Sequence, residues 1–317
     1  MKIVIPGGSG QMGDLLARHF HDNNHEVVVL TRHPAQTDWK TVRWDGQTMG
    51  PWIQELDGAD VIINLTGRSV NCRYTPKNKC DIWSSRVRSI RVLERAILER
   101  GASPSVWLQA STATLYDHQF NTPNDEYTGV LGGEEPNAPS KWRFSIDVAR
   151  AWEGEFALVA LPHTRKVVMR TSLVFNPDPG SVFTYLLKLV QLGLGGRVGA
   201  GDQFVSWIHE LDVIRAIEHL IHRSDLSGAF IFGTPFPVTN SDFMKELRDA
   251  WGFKWGIPTP EWLLKIGAVL IQTESELILK SRKVHPTRLI ESGFEFSYPK
   301  WTQAAQNLCD QWRNHTH

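Results

Sequence analysis

The 317-residue sequence predicts a doubly wound α/β fold: a parallel sheet covered by helices on both faces, with a smaller C-terminal lobe. Three observations predict it. Short apolar runs such as Val27-Val28-Val29-Leu30 and Val61-Ile62-Ile63 read as strands buried on both faces. These runs alternate with segments of helical periodicity. A glycine-dense turn, Gly7-Gly8-Ser9-Gly10-Gln11-Met12-Gly13, joins the first strand to the first helix.

In chain order, residues 2–5 form the first strand, and Leu15 to Phe20 carries helical spacing behind the glycine turn. Residues 27–30 are the second strand. The turn Asp57-Gly58-Ala59-Asp60 leads into a strand over 61–65. A long helix covers 79–100 through Ile82, Val87, Ile90, Leu93, Ala96 and Ile97. A strand over 105–110, a helix over 140–160 and a strand over 166–170 follow. Past residue 175 the pattern changes to a glycine-rich stretch, Gly193, Gly195, Gly196, Gly199 and Gly201. A helix over 210–222 and a strand over 228–232 then return to the sheet. The last sixty residues open on Pro258 and Pro260 and hold two or three helices. One of these, over 262–272, is strongly apolar and reads as lobe core or as a partner surface. The division is a nucleotide-binding domain over 1–175, with a return segment over 204–233, and a substrate-side lobe over 176–317. The lobe's last unit starts near 256.

Composition narrows the function. Lys+Arg and Asp+Glu number 34 each, so the clustered basic surface of a nucleic-acid binder is not indicated. No apolar run reaches the ~20 residues of a membrane span. The opening strand leaves no room for a signal peptide. Three cysteines (Cys72, Cys80, Cys309) fit a reducing, cytoplasmic setting without disulfides; Cys72 and Cys80 match no redox spacing. No His spacing suggests a metal. The 13 Trp suit cores, interfaces and pocket walls alike.

Gly8, Gly10 and Gly13 match G-x-G-x-x-G in the context that gives the motif meaning: after a strand, opening a helix. Such a turn lets backbone approach a pyrophosphate, which the helix N-terminus then holds. At the end of the second strand, NAD binders place an acidic residue against the ribose 2′-hydroxyl. Thr31-Arg32 stands here instead, and Arg32 either holds a 2′-phosphate or is a solvated surface charge. The cofactor expected is therefore NADP rather than NAD.

Further motifs resemble the extended and atypical short-chain dehydrogenases/reductases, and among them the epimerase-like family with a small C-terminal domain of unknown function. Asn64-Leu65-Thr66-Gly67 resembles that family's Asn-Leu-Ala-Gly, Ser85-Arg86 its Ser-Arg pair, and Trp152-Glu153 its Trp-Glu. Ala110-Ser111-Thr112 through Tyr116 resembles the serine-rich segment of sugar-nucleotide epimerases. The block Gly193 to Gln203, then Ser206-Trp207-Ile208-His209 and Asp212, is the most specific. Val284, Pro286, Arg288, Leu289, Gly293, Phe294 and Phe296 resemble the C-terminal domain. The resemblance implies a Rossmann-type NADP domain. The cofactor residues it implies include Leu65, Thr66, Gly67, Arg86, Ala110, Ser111, Arg170 and Ser172.

The wider superfamily transfers protons through a Tyr whose pKa is lowered by a Lys four residues later. Here the residues four on from Tyr74, Tyr116, Tyr127, Tyr185 and Tyr298 are Asn78, Phe120, Leu131, Leu189 and Thr302. Asp147 takes the place of a Lys that some relatives keep. The remaining candidates are Thr112 as substrate hydrogen-bonder, Tyr116 as nearest phenol, and His209 as a neutral-pH proton carrier, with Trp207 walling the cleft. Asp212 reads as a cap of the next helix. Arg86 either binds a substrate carboxylate or phosphate or closes a structural ion pair. Two functions fit: an NADP-dependent epimerase-like oxidoreductase acting on a small polar, possibly sugar-nucleotide-like molecule, or an inactive NADPH-binding sensor. Either is compatible with a homodimer.

Overall fold

The computed structural model describes residues 1–134, 142–260 and 280–315. Seven parallel strands form its central sheet in the order β10-β6-β5-β4-β1-β2-β3. They are β1 (Lys2–Pro6), β2 (Glu26–Thr31), β3 (Lys40–Arg43), β4 (Val61–Asn64), β5 (Val106–Thr112), β6 (Arg165–Thr171) and β10 (Gly228–Phe232). The strand expected over 228–232 thus rejoins the sheet, pairing with β6. The strand β3 was not expected. Its sequence Lys-Thr-Val-Arg has polar ends, which an edge position tolerates.

The period-2 alternation of each strand builds the two faces. Ile3, Ile5, Val27, Val29 and Ile63 pack with Leu16 and Phe20 of α1 (Gln11–Asp22) and with Val213, Ile217 and Leu220 of α5 (Glu210–His222). Val4, Val28, Leu30 and Ile62 point the other way. They meet Ile90, Leu93 and Ile97 of α2 (Pro76–Arg100) and Trp152 and Phe156 of α3 (Arg143–Leu158). Each such side chain, fully buried, contributes about 1.5–3 kcal/mol, so these two layers dominate the stability. Helix α2 is bounded by local signals. Thr75 accepts from the Asn78 amide, Pro76 opens the first turn, and Gly101 closes it at φ +62°.

The remaining elements are β7 (Leu173–Phe175), α4 (Val182–Gln191), β8 (Phe204–Val205), β9 (Trp207–His209), β11 (Val238–Thr239), α6 (Asn240–Trp251), α7 (Thr287–Glu291) and α8 (Trp301–His315). They enclose a third apolar cluster, in which Phe183, Leu187, Phe243, Leu247 and Leu308 surround Trp207 and Trp301. Trp207 is therefore not a cleft wall. It is fully buried, edge-on to Trp301 at 5.0 Å, because β9 pairs with β7 inside the lobe. The lobe's C-terminal part also reaches back, since α7 packs against β10 and Leu289 and Phe294 join the apolar layer on the α1/α5 side of the sheet. The apolar helix expected over 262–272 lies outside the described residues. Among those described, no helix is long and apolar enough to cross a membrane, and no three His, Cys, Asp or Glu are placed to hold a metal ion.

Candidate functional site

The glycine turn is a cradle shaped by contact. Gly7 has φ +75°, and a Cβ there would lie 2.6 Å from Thr66 Cα; one on Gly13 would lie 2.3 Å from Gly8 Cα. Gly10, by contrast, faces open space and starts α1 with no side chain capping the first amides. Those amides are free to receive an anion. Ser9 and Gln11 are exposed beside it, and Met12 is half-buried. The Leu65-Thr66-Gly67 loop is held by Leu65 N–H to Pro6 O (2.9 Å) and Thr66 N–H to Asn64 Oδ1 (3.1 Å). Thr66 Oγ1 and Ser172 Oγ are buried without a hydrogen-bond partner. Open amides, a Cβ-free surface and two orphaned hydroxyls along the strand ends are what a dinucleotide would complete.

At the sheet's far edge, buried Thr31 stands opposite Arg43 in register, with exposed Arg32 next to it. Neither arginine's side chain makes a hydrogen bond or ion pair with a described residue. Arg43 escaped sequence reading because β3 did.

A cavity of about 220 Å³ opens at the carboxyl end of β5, between α2 and α3. Tyr74, Arg86, Ser111, Thr112, Thr114, Ser145 and Trp152 line it. Thr112 Oγ1 accepts from the Thr114 amide at 3.1 Å, which leaves its own proton to donate. Arg86 closes no ion pair with any described residue. Its Nη1 donates to the carbonyls of Arg68 (3.1 Å) and Ile82 (2.9 Å), and its Cζ lies over Trp152, 4.7 Å from the ring centroid. Burial pushes its pKa down to about 10, against a smaller upward pull from Tyr74. Tyr74, set aside in the sequence reading because Asn78 rather than Lys stands four residues on, lies edge-on to Phe144, with its hydroxyl 3.4 Å from Ser145 Oγ.

The other polar candidates have structural work. Arg170 grips Glu153 with two hydrogen bonds (Nε 3.0 Å, Nη2 2.7 Å) and donates through Nη1 to the Tyr116 hydroxyl at 2.7 Å. Ser111 donates to the same carboxylate at 2.5 Å. The side chains of Arg170 and Ser111 thus brace the end of β5 against α3 rather than stand open to a cofactor. Tyr116 is 2% exposed and does not line the cavity; burial pushes its pKa up to about 12, which ill suits it to neutral-pH proton exchange. Asp147 is exposed on α3, 3.7 Å from Arg143. Ala110 is half-buried in β5.

His209 is not the neutral-pH carrier the sequence suggested. Its Nδ1 accepts from the Leu211 amide (3.1 Å), capping α5, so the proton is on Nε2, 3.0 Å from Asn307 Oδ1. Burial lowers its pKa to about 4, and Tyr298 stacks on the ring at 4.1 Å. Since His209 caps α5, Asp212 does not. Fully buried, Asp212 instead accepts the Ser297 (2.7 Å) and Tyr298 (2.9 Å) amides and ties the C-terminal segment down. Next to His209, burial and the charge of Asp178 raise Glu210 to about 7 against the pull of Gln311 and Arg18. The signs oppose. His209 sheds its proton on folding, so its contribution is lost as pH falls from 6.5 through 4; Glu210 gains one, so its contribution is lost as pH rises from 4.5 through 7. Glu210→Gln should therefore melt higher than wild type near pH 8, by a ceiling of about 3 kcal/mol, and that advantage should shrink to under about 1 kcal/mol near pH 5. A variant that melts level with wild type at both pH values would refute the assignment.

Comparison with known proteins converges on the same architecture. The NAD dependent epimerase/dehydratase family model matches residues 3–231, and a domain of unknown function (DUF1731) matches 259–308. Epimerase family protein YfhF of Bacillus subtilis (strain 168) is 30% identical over 301 residues, covering 94% of each chain. The crystal structure of human epimerase family protein SDR39U1 (isoform2) with NADPH superposes with a TM-score of 0.83 at 25% identity, covering 98% of this chain and 99% of that one. UDP-glucose 4-epimerase of Thermus thermophilus, in complex with NAD, shares the fold at TM-score 0.73 and 14% identity, covering 99% of each. With its glycine cradle at residues 7–13, its seven-stranded parallel sheet and a family match over most of its length, the chain belongs to the NAD dependent epimerase/dehydratase family.

Proposed function

We propose that the chain is an NADP(H)-dependent oxidoreductase that acts on a small polar molecule lodged against Thr112. The observation that carries this reading is the continuity of the site: the glycine cradle leads along the Thr66-Gly67 loop to a cavity holding Thr112, Tyr74 and Arg86. When bound, the dinucleotide supplies hydride exchange at its nicotinamide. Thr112 donates a hydrogen bond to the substrate oxygen and orients it. Tyr74 gives or takes the proton at that oxygen, and the positive charge of Arg86 favours the phenolate this leaves. The pair stands where the chain lacks a Tyr with a Lys four residues on. The NADPH-bound human relative supports the cofactor class.

The test is a fluorescence titration of the purified full chain with NADPH, followed by NADPH oxidation in the presence of small carbonyl compounds. Binding with turnover supports the proposal; tight binding without turnover across the panel means a sensor. The cofactor preference has its own test. Arg32 and Arg43, whose side chains pair with no described residue, are the cations this reading assigns to a 2′-phosphate, and charge-assisted bonds contribute about 1.5–3 kcal/mol each. Arg32→Ala or Arg43→Ala alone is expected to raise the NADPH Kd roughly tenfold and to leave NADH within about twofold. Equal losses for both cofactors would make these arginines ordinary surface charges.

A further inference from the structure

Arg86 is half-sheathed. Gly67 crowds its guanidinium, since a Cβ there would lie 3.0 Å from Cζ, and Cζ sits over the Trp152 ring at 4.7 Å. Nη1 is spent on two carbonyls, while Nε and Nη2 bond to no described residue. A desolvated cation with about three of its five N–H donors open is costly unless a ligand completes it. The donors left for a ligand are those of the Nε–Nη2 fork, whose spacing matches the two oxygens of a carboxylate. Two more cations, Lys280 Nζ (2.9 Å) and Arg282 Nε (3.1 Å), donate to O and Oγ1 of Thr114 on the cavity wall. At about 220 Å³ the cavity is smaller than the roughly 300–1,000 Å³ of drug-sized sites, so a group on Arg86 and a carbon at Thr112 are only a few bonds apart.

We propose that this cavity takes a short oxo or hydroxy acid, its carboxylate held edge-on by Nε and Nη2 of Arg86 and its carbonyl or hydroxyl oxygen on Thr112. The proposal rests on the oxidoreductase reading. In reduction, hydride adds to the carbonyl carbon, the C=O π pair takes the Tyr74 proton to form the hydroxyl, the nicotinamide is oxidised, and water reprotonates Tyr74. Oxidation is the reverse.

The experiment is calorimetric titration of the NADP-loaded full chain with pyruvate, with the neutral analogue pyruvamide and with inorganic phosphate. Pyruvate is expected to bind saturably, and roughly tenfold or more tighter than pyruvamide or phosphate. Arg86→Met should erase that preference, Arg86→Lys should restore part of it, and the NADPH Kd should stay within about twofold in both. Pyruvate and pyruvamide binding alike in wild type, or neither binding, overturns the proposal without any variant. Phosphate binding tighter than pyruvate overturns the carboxylate. An NADPH Kd raised about tenfold in Arg86→Met places Arg86 on the cofactor instead. Failure of wild type to bind NADPH is a separate result and sinks the oxidoreductase reading itself.

Discussion

Tyr74→Phe is expected to lower the turnover of whichever small carbonyl compound supports NADPH oxidation by about 10²–10⁴-fold, the usual contribution of a positioned general acid. The NADPH Kd should remain within about twofold, because Tyr74 lies in the substrate cavity and not on the glycine cradle. The side chain's aromatic body is kept, so its edge contact with Phe144 survives and the fold should not move. Tyr116→Phe is the control. Its hydroxyl is taken by Arg170 and its ring is buried, so the same assay should change by only about twofold once the protein is folded. If instead Tyr116→Phe removes turnover and Tyr74→Phe does not, the proton travels through the buried Arg170–Tyr116 network and the cavity assignment falls.

The contrast between these two tyrosines shows where sequence reading succeeded and where it stopped. The sheet was legible because strands buried on both faces are continuously apolar, and the cradle was legible because only glycine fits its contacts at Gly7 and Gly13. The short strand β3 was not, since a polar edge strand carries neither signal, and Arg43 went unnoticed with it. Chemistry that depends on chain adjacency was read one Tyr at a time, four residues forward. The cavity assembles its groups differently. Tyr74 precedes α2, Arg86 comes three turns into that helix, and Thr112 ends β5, so no fixed spacing links them. His209 and Trp207 misled for a related reason: a polar or aromatic residue after a glycine-rich block looks like a site wall, whereas β9 turns inward and buries both.

Glu153→Ala is expected to destabilise the chain by about 3–5 kcal/mol, the cost of stranding one member of a buried ion pair. Glu153 and Arg170 are only 16% and 14% exposed at their side chains, so water cannot replace the lost partner well. The carboxylate also accepts from Ser111, so its removal leaves a second donor unmet at the end of β5. Glu153→Gln keeps one acceptor for Arg170 and should cost less than Glu153→Ala. The decisive measurement is a double-mutant cycle in urea: Glu153→Ala with Arg170→Met should cost well below the sum of the two single changes, because the second substitution removes the charge that the first exposed. Additive losses, or a Glu153→Ala cost under about 1 kcal/mol, would mean that the pair is solvated. The same variants separate bracing from a direct hold on the cofactor. A pair that only aligns β5 with α3 should, below the melting transition, leave the NADPH Kd within about twofold. Its loss should also pull Thr112 out of line with Tyr74, so turnover falls while the cofactor stays bound.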